Sequence, residues 1–343
     1  MSRKAGNDSG IGVILLNLGG PDSIQAVRPF LKNLFSDRQI IPLGPRFMQK
    51  PLAGLISAIR SKKTEKFYRL IGGKSPISEI TNAQARALEL RLNSSPFTRH
   101  ASLSFRVYVG MRYWHPFIED VIPAIYGDGI RKLLALSLYP QYSVATSGSS
   151  LSKFEEVSAG FPIETFSVKS WFDHPLYIEA LVDVIKKGIE SFGAGAGDGA
   201  EVHVLFSAHS LPQNMIDRGD PYVDQIIATI RKVSEKIPVR WHLSYQSRSG
   251  PVRWLGPSTD AKLSELAAEG VKKVLVVPIS FVSDHIETLY EIDILYKDLA
   301  EELKIDLRRT TSLNTHPVFI EALAELVRSA LKEKGWDKSA SSS

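Results

Sequence analysis

The sequence predicts an α/β protein built of two Rossmann-like, doubly wound domains, each with a parallel sheet flanked by helices. Six short apolar runs end in polar or glycine-rich turns, and stretches with helical periodicity lie between most of them. Strands that alternate with helices are typical of parallel sheets. A run rich in glycine and alanine, residues 191–200, divides the chain into two parts, and 343 residues are enough for two domains.

Each predicted strand is a short apolar run bounded by turn-forming residues, as expected for a buried strand. The predicted strands are residues 12–18, 106–109, 132–138, 202–206, 239–244 and 273–279. Apolar residues at helical spacing predict helices over residues 83–92, 177–189 and 223–237.

The division at residues 191–200 gives an N-terminal domain of residues 11–190 and a C-terminal domain of residues 201–318. A last helix, residues 319–331, is expected to pack back on the first half, and residues 338–343 to be disordered. The sequence shows no evident internal repeat.

The composition excludes several kinds of chemistry. The chain has no cysteine, which rules out disulfides, thiolate catalysis and any cysteine-ligated zinc or iron–sulfur centre. Lys and Arg exceed Asp and Glu by 42 − 37 = 5, a modest excess that gives no reason to expect a nucleic-acid partner. The first ten residues are polar and too short for a signal peptide, and no apolar run could span a bilayer, so a cytoplasmic protein is expected.

The positive charge is concentrated in one region. Residues 46–74 contain eight basic residues and one acid, and the apolar segment 51–59 lies just ahead of most of them. This pairing suits an anionic membrane surface or an apolar ligand that carries carboxylates. The alternative is a core-facing helix with a solvated basic flank.

The turns that follow the strands exclude the common nucleotide and hydrolase sites. The turn after the first strand, Asn17-Leu18-Gly19-Gly20-Pro21, is neither a dinucleotide fingerprint nor a P-loop. The chain has no G-x-S-x-G elbow around its candidate serines and no H-E-x-x-H motif. A nucleotide cofactor, a serine nucleophile and a zincin site are therefore disfavoured.

The same turns carry candidate binding and proton-transfer residues. Arg112 and Tyr113 follow the second strand and offer a carboxylate partner and a flat apolar ring. His209 lies at the end of the fourth strand, where ligands of parallel sheets bind, and imidazole transfers protons near neutral pH.

Asp284, His285 and Glu287 follow the last predicted strand. They fit a capping box in which Asp284 is the N-cap and Glu287 stands three positions on, and we expect this cap to form. Capping does not require the histidine, however. A histidine and acids without a nucleotide loop or a nucleophile suit proton abstraction and metal handling on a large flat ligand.

Several long motifs resemble ferrochelatase, the enzyme that inserts ferrous iron into a porphyrin, from about residue 12 to residue 331. They are L-L-N-L-G-G-P at 15–21, Y-R-L-I-G-G-K-S-P-I at 68–77, Y-P-Q-Y-S at 139–143, T-S-G-S-S at 146–150, L-F-S-A-H-S-L-P at 205–212, W-L-G-P at 254–257 and the segment 283–291. The resemblance implies a chelatase-like pair of domains and a metal-chelating lyase at the terminal step of haem biosynthesis.

The resemblance also implies roles for individual residues. His209 matches the histidine thought to accept pyrrole protons or bind iron, and Glu287 the glutamate that faces it. Asp284 and His285 match their neighbours on the proton or metal path. The implied porphyrin-pocket residues are Asn17, Leu18, Tyr68, Arg112, Tyr113, Trp254 and Phe281.

Protoporphyrin IX and Fe²⁺ are the substrates that the resemblance implies, and residues 40–59 match an apolar lip through which a porphyrin could enter from a membrane surface. Coproporphyrin III is an alternative substrate, and a carrier that binds a tetrapyrrole without inserting metal is an alternative function. No tightly bound cofactor is expected, because the [2Fe–2S] cluster of some members needs cysteines that this chain lacks. A cytoplasmic protein, peripheral to the inner face of the membrane, fits these implications.

Overall fold

Two parallel four-stranded sheets form the centre of the molecule in the computed structural model, which describes residues 10–94, 103–193, 201–248, 250 and 252–337. The first sheet has the strand order β2-β1-β3-β4 and the second β6-β5-β7-β8. The strands are β1 Gly10–Asn17, β2 Ser104–Met111, β3 Lys132–Ser137, β4 Glu164–Val168, β5 Val202–His209, β6 Trp241–Gln246, β7 Lys273–Pro278 and β8 Asp306–Arg309. All neighbouring pairs are parallel, which confirms the predicted fold class.

Two strands were absent from the sequence prediction. β4 and β8 lie at sheet edges and have the sequences ETFSV and DLRR, neither of which is an apolar run. β4 and β8 lack the apolar run from which the other six strands, including the edge strands β2 and β6, were predicted.

Helices cover both faces of the sheets. They are α1 Val27–Ser36, α2 Gln49–Leu70, α3 Ile77–Asn93, α4 Ile118–Gly127, α5 Ser149–Ser158, α6 Pro175–Ser191, α7 Gln213–Asp217, α8 Tyr222–Lys236, α9 Thr259–Ala268, α10 Lys297–Glu302 and α11 Pro317–Lys334. Two π-helices, π1 Val144–Gly148 and π2 Glu287–Tyr296, follow the central strands β3 and β7.

The last helix of each half packs across the boundary. α6 follows β4 of the first sheet, yet a Cβ on its Gly188 would lie 2.8 Å from Leu275 of β7, so the helix sits close against the second sheet. α11 follows β8 of the second sheet and packs on α3, α6 and β4. Each half therefore gives its last helix to the other half.

The two exchanged helices begin with a shared sequence. Residues 174–181 read H-P-L-Y-I-E-A-L and residues 316–323 read H-P-V-F-I-E-A-L. The expectation of no internal repeat was therefore wrong. The repeat was overlooked because it is short and its two copies lie in different halves of the chain. Trp171 ahead of one helix stacks on Phe319 of the other, with 5.9 Å between the ring centroids. Residues 338–343 and most of the predicted linker at 191–200 lie outside the described residues.

Candidate functional site

Residues at or just after the carboxyl ends of β1, β3 and β7 line a cleft between the two halves. A recess of this cleft has a volume of about 20 Å³, room for about one water molecule. The recess is lined mainly by apolar groups, and His285 contributes its imidazole. The lining residues are Asn17, Leu18, Ile77, Leu138, Tyr139, Ser280, Phe281, Val282, Ser283 and His285.

His209 and Glu287 form a charged pair beside this recess. Nδ1 of His209, the last residue of β5, lies 2.8 Å from Oε2 of Glu287, the first residue of π2. Burial disfavours the imidazolium, but the carboxylate outweighs it, and the pKa of His209 is raised above its ordinary value. Burial alone would raise the pKa of Glu287, yet the charge of His209 lowers it to about 2. The contact therefore favours the imidazolium form of His209 and keeps Glu287 a carboxylate at neutral pH.

The backbone around His209 is also fixed. Its N–H donates to Ser280 Oγ at 2.9 Å, and Tyr222 Oη donates to its carbonyl oxygen at 3.0 Å. These bonds hold the end of β5 against the turn that follows β7.

His285, in contrast to His209, favours the neutral form of the imidazole. Its Nδ1 lies 3.1 Å from the carbonyl oxygen of Ser283. A carbonyl only accepts hydrogen bonds, so Nδ1 carries the proton and Nε2 has the free lone pair. Burial lowers the pKa of His285, and Nε2 is buried without a hydrogen-bond partner among the described residues. The recess is therefore lined by a neutral imidazole whose lone pair is available.

Asp284 is a structural anchor in this arrangement. Its carboxylate accepts from the side chains of four residues, at distances of 2.8 to 3.1 Å: Thr288, Arg309, Ser312 and Asn314. The expected capping box was wrong, since the residue before π2 is Ile286 and no side chain caps the helix. The carboxylate of Asp284 accepts hydrogen bonds from these four side chains, and the carboxylate of Glu287 is paired with His209. Neither carboxylate therefore caps the N-terminus of π2.

Glu291 and Ser247 belong to the site but were missed in the sequence. Ser247 Oγ lies 2.8 Å from Oε2 of Glu287 and 2.6 Å from Oε2 of Glu291. Burial and the nearby charge of Glu287 raise the pKa of Glu291 to about 7. A second acid on the buried face of the helix after a strand was the available signal; nothing in the sequence pointed to Ser247.

The structure brings some of the expected pocket residues together. Asn17, Leu18 and Phe281 line the recess. Tyr68 is buried, and burial together with the charge of Glu287 raises its pKa, which places it near the charged pair.

Arg112, Tyr113 and Trp254 do not line the recess. The guanidinium of Arg112 pairs with Asp37 at 2.7 Å, and Tyr113 Oη donates to the same carboxylate at 2.7 Å. Trp254 forms an isolated bridge with Pro212, and its Nε1 is buried without a partner among the described residues.

No preformed cage of three or more metal-binding side chains occurs in residues 10–94, 103–193, 201–248, 250 and 252–337. His209 and Glu287 thus stand as a two-residue donor set of imidazole nitrogen and carboxylate oxygen. These donors suit borderline divalent cations such as Fe²⁺.

Residues 10–331 match the family model described as ferrochelatase. The ferrochelatase of Geotalea daltonii is 50% identical over 325 residues, which cover 94% of this chain and 98% of that protein. The ferrochelatase of Synechocystis sp. is 47% identical over 331 residues, which cover 94% and 83%. The solved sirohydrochlorin chelatase SirB of Bacillus subtilis subspecies spizizenii, in complex with cobalt, is similar in fold with a TM-score of 0.54 and 14% identity, over 95% and 97% of the two chains.

Proposed function

This chain belongs to the ferrochelatase family, and on that premise we propose that it inserts Fe²⁺ into protoporphyrin IX to form protohaem, without a resident cofactor. The observation that carries the mechanism is the different environment of two histidines beside one recess. His285 donates from Nδ1 to a carbonyl and its Nε2 has no hydrogen-bond partner among the described residues, whereas His209 is paired with the Glu287 carboxylate at 2.8 Å.

These environments suggest a division of roles. Insertion removes two pyrrole protons and strips water from Fe²⁺. His285 Nε2 is ready to accept a pyrrole proton, because burial favours the neutral imidazole and Nε2 has no hydrogen-bond partner in the part of the chain that the structure describes. His209 must first lose its proton before it can donate a lone pair to iron, and Glu287 remains a carboxylate throughout the neutral range.

The walls contribute shape and the exclusion of water. Apolar and aromatic groups line the recess next to the two histidines. A rigid wall of this kind favours a bent macrocycle over a flat one, and bending exposes the nitrogen lone pairs to the incoming metal. Asp284, with its four donors, positions His285 and Glu287 rather than exchanging protons.

The activity test follows the loss of porphyrin fluorescence when Fe²⁺ is added anaerobically to protein and protoporphyrin IX. His209→Ala and His285→Ala are each expected to lower kcat by about 10²–10⁴-fold, the range for a lost proton-transfer group. His242→Ala, at the opposite end of the second sheet, is the matched control and keeps the wild-type rate. Normal turnover by His209→Ala would contradict the assignment, and stoichiometric binding without turnover by the wild type would indicate a carrier.

The apolar lip, residues 40–59, supports protoporphyrin IX over coproporphyrin III. α2 leaves large apolar side chains exposed, with Leu55 58% and Ile59 69% exposed, and Phe47 just before it is 78% exposed. A core-facing helix would bury these side chains, so the alternative of a core-facing helix with a solvated basic flank fits less well. Comparing the rates with the two porphyrins tests this choice, and a higher kcat/KM for coproporphyrin III would reverse it.

We also propose that the lip touches the inner face of the membrane from the cytoplasm. No helix among the described residues is long and apolar enough to cross a bilayer. Apolar side chains beside basic ones suit a peripheral contact with anionic lipids. Binding to anionic liposomes at low salt should fall in an Ile59→Glu variant and persist in a Leu90→Glu variant, which changes an exposed leucine on α3. Failure of the wild type to bind such liposomes would remove the proposal.

A further inference from the structure

The turn between β7 and π2, residues 279–285, forms one wall of the recess. Half of the residues that line the recess belong to this turn, Phe281 and His285 among them. Residues 279–285 form neither a helix nor a strand, so no regular ladder of hydrogen bonds fixes their backbone. Contacts from other parts of the chain must therefore set where the side chains of the turn stand.

The first half contacts the beginning of this turn through Tyr177 of α6. The phenol Oη donates to the carbonyl oxygen of Ile279 at 3.2 Å, across the boundary between the two halves. Trp171 packs edge-on against the phenol ring, with 5.0 Å between the ring centroids. Both aromatic side chains are buried, so water is poorly placed to replace the bond that ties the start of the turn to the first half.

The first half contacts the end of the turn through Gln84 of α3. Its Nε2 donates to the carbonyl oxygen of Asn314 at 2.8 Å and to Ser283 Oγ at 3.0 Å. Because a carbonyl oxygen only accepts hydrogen bonds, the NH₂ group must face the second half. Gln84 is buried, and its Oε1 has no hydrogen-bond partner among the described residues. The printed contacts that orient this amide therefore all lie in the second half.

Asn314 carries the contact of Gln84 further into the turn. The backbone N–H of Asn314 donates to the carbonyl oxygen of Val282 at 2.7 Å. Its side-chain Oδ1 accepts from the backbone N–H of Asp284 at 3.0 Å. Gln84 thus holds Ser283 directly, and it holds the residues on either side of Ser283 through Asn314.

We propose that Tyr177 and Gln84 are positioning residues that set the shape of the turn 279–285. Through the turn they fix where Phe281 and His285 stand in the cleft. Neither Tyr177 nor Gln84 is among the residues that line the recess, so both act through the turn rather than on a substrate. Their effect on catalysis rests on the proposed function, since it requires that Phe281 and His285 face the porphyrin.

The test uses Gln84→Met and Tyr177→Phe, which remove the hydrogen bonds and nearly keep the size of the side chains. Tyr177→Phe removes a single oxygen atom, so the test remains valid if Gln84→Met does not fold. The matched controls are Asn82→Leu, which removes a hydrogen bond made within α3, and Tyr126→Phe on α4. The ring of Tyr126 packs on Phe161, on the opposite face of the first sheet.

The first readout is amide hydrogen exchange at Asp284 and His285 in the free protein, which needs no porphyrin. Their N–H groups donate to Asn314 Oδ1 at 3.0 Å and to Thr288 Oγ1 at 3.1 Å, so they exchange when the turn opens locally. Each test variant should speed this exchange about 2–10-fold, the factor for the loss of one ordinary hydrogen bond. If the two residues only stabilised the whole fold, local opening of the turn would keep its wild-type rate.

The second readout is turnover of protoporphyrin IX and Fe²⁺. In each test variant kcat should fall about 10-fold while KM stays within about 2-fold, because a wall that lines the reacting centre is displaced and no side chain that lines the recess is removed. The double variant should lose less than the product of the two single losses, since both residues act through one turn. Asn82→Leu and Tyr126→Phe should match wild type in both readouts.

Wild-type exchange at Asp284 and His285 in both test variants would overturn the proposal. A wild-type kcat in variants with faster exchange would overturn the part of these residues in catalysis. If the wild-type protein shows no turnover while both variants exchange faster, the proposed reaction fails and the positioning of the turn stands.

Discussion

Replacing Asp284 by asparagine tests the anchor beneath the charged pair. The carboxylate accepts from Arg309 Nη1 at 3.0 Å, Ser312 Oγ at 2.8 Å and Asn314 Nδ2 at 2.8 Å. Asp284→Asn keeps the volume, but it removes the charge that Arg309 faces and turns an amide NH₂ toward other donors. The side chains of Asp284 and Arg309 are only 19% and 11% exposed, so water can replace little of what is lost.

The expected loss of stability depends on the interactions that Arg309 keeps in the variant. Removing one partner of a buried ion pair costs about 3–5 kcal/mol. Arg309 keeps Asp293, whose carboxylate accepts from Nε and Nη2 at 2.7 Å each, so its charge stays paired. We therefore expect the free energy of unfolding to fall by about 2–4 kcal/mol, below the full cost of an orphaned charge.

Urea denaturation followed by circular dichroism measures this loss. Asp306→Asn is the control, because Asp306 pairs with the adjacent Arg308 at the surface, with side chains 45% and 39% exposed, where a pair contributes about 0–1 kcal/mol. If Asp284→Asn is no less stable than Asp306→Asn, the account of Asp284 as a buried anchor is wrong.

Three further outcomes follow from the packing and the protonation states. Gly188→Ala should lower the free energy of unfolding by about 1–3 kcal/mol, because the new methyl would lie 2.8 Å from Leu275. Gly127→Ala is the control and should not destabilise the protein, because a methyl there would meet no atom within 4 Å. Equal urea midpoints for the two variants would refute the close packing at Gly188. His203 Nδ1 lies 3.0 Å from His242 Nε2, and burial lowers the pKa of both histidines. Their contribution to the free energy of unfolding is therefore complete above pH 6.5 and is lost as the pH falls below it. His242→Gln should reduce the fall of the melting temperature over this pH range, and an unchanged dependence on pH would contradict this account. Because the pKa of His209 is raised, kcat/KM for Fe²⁺ should rise with pH above neutrality, and a rate that falls over this range would refute deprotonation as a requirement for iron binding.

The central strands and the strand-end histidine were readable from the sequence, since buried parallel strands are continuous apolar runs. β4 and β8 were not, because neither ETFSV nor DLRR is an apolar run, and DLRR has one apolar residue in four. Asp284 was mistaken for a cap because its actual donors, Arg309 and Asn314, come from a later part of the chain. Local spacing carries no information about such long-range hydrogen bonds, so it predicted a cap that does not form.

The protonation states of the two histidines could not be predicted from the sequence either, because they depend on the groups that contact each ring in the folded protein. His209 ends β5 and His285 lies in the turn after β7, yet the pKa of His209 is raised and the pKa of His285 is lowered. The difference lies in a carboxylate contact for His209 and a carbonyl contact for His285. For Arg112, which was expected to bind a ligand carboxylate, the carboxylate partner is Asp37, the residue that follows α1.

The exchange of α6 and α11 makes each half incomplete when it is alone. A chain cut after α6 would retain a helix whose partner surface, around Leu275, belongs to the other fragment. The two fragments should therefore remain associated after cleavage, and the second, produced alone, should expose an uncovered apolar sheet face. A single half could bury that face by donating its last helix to a second copy of itself. The fold therefore has the arrangement of a helix-swapped dimer whose two halves are joined into one polypeptide.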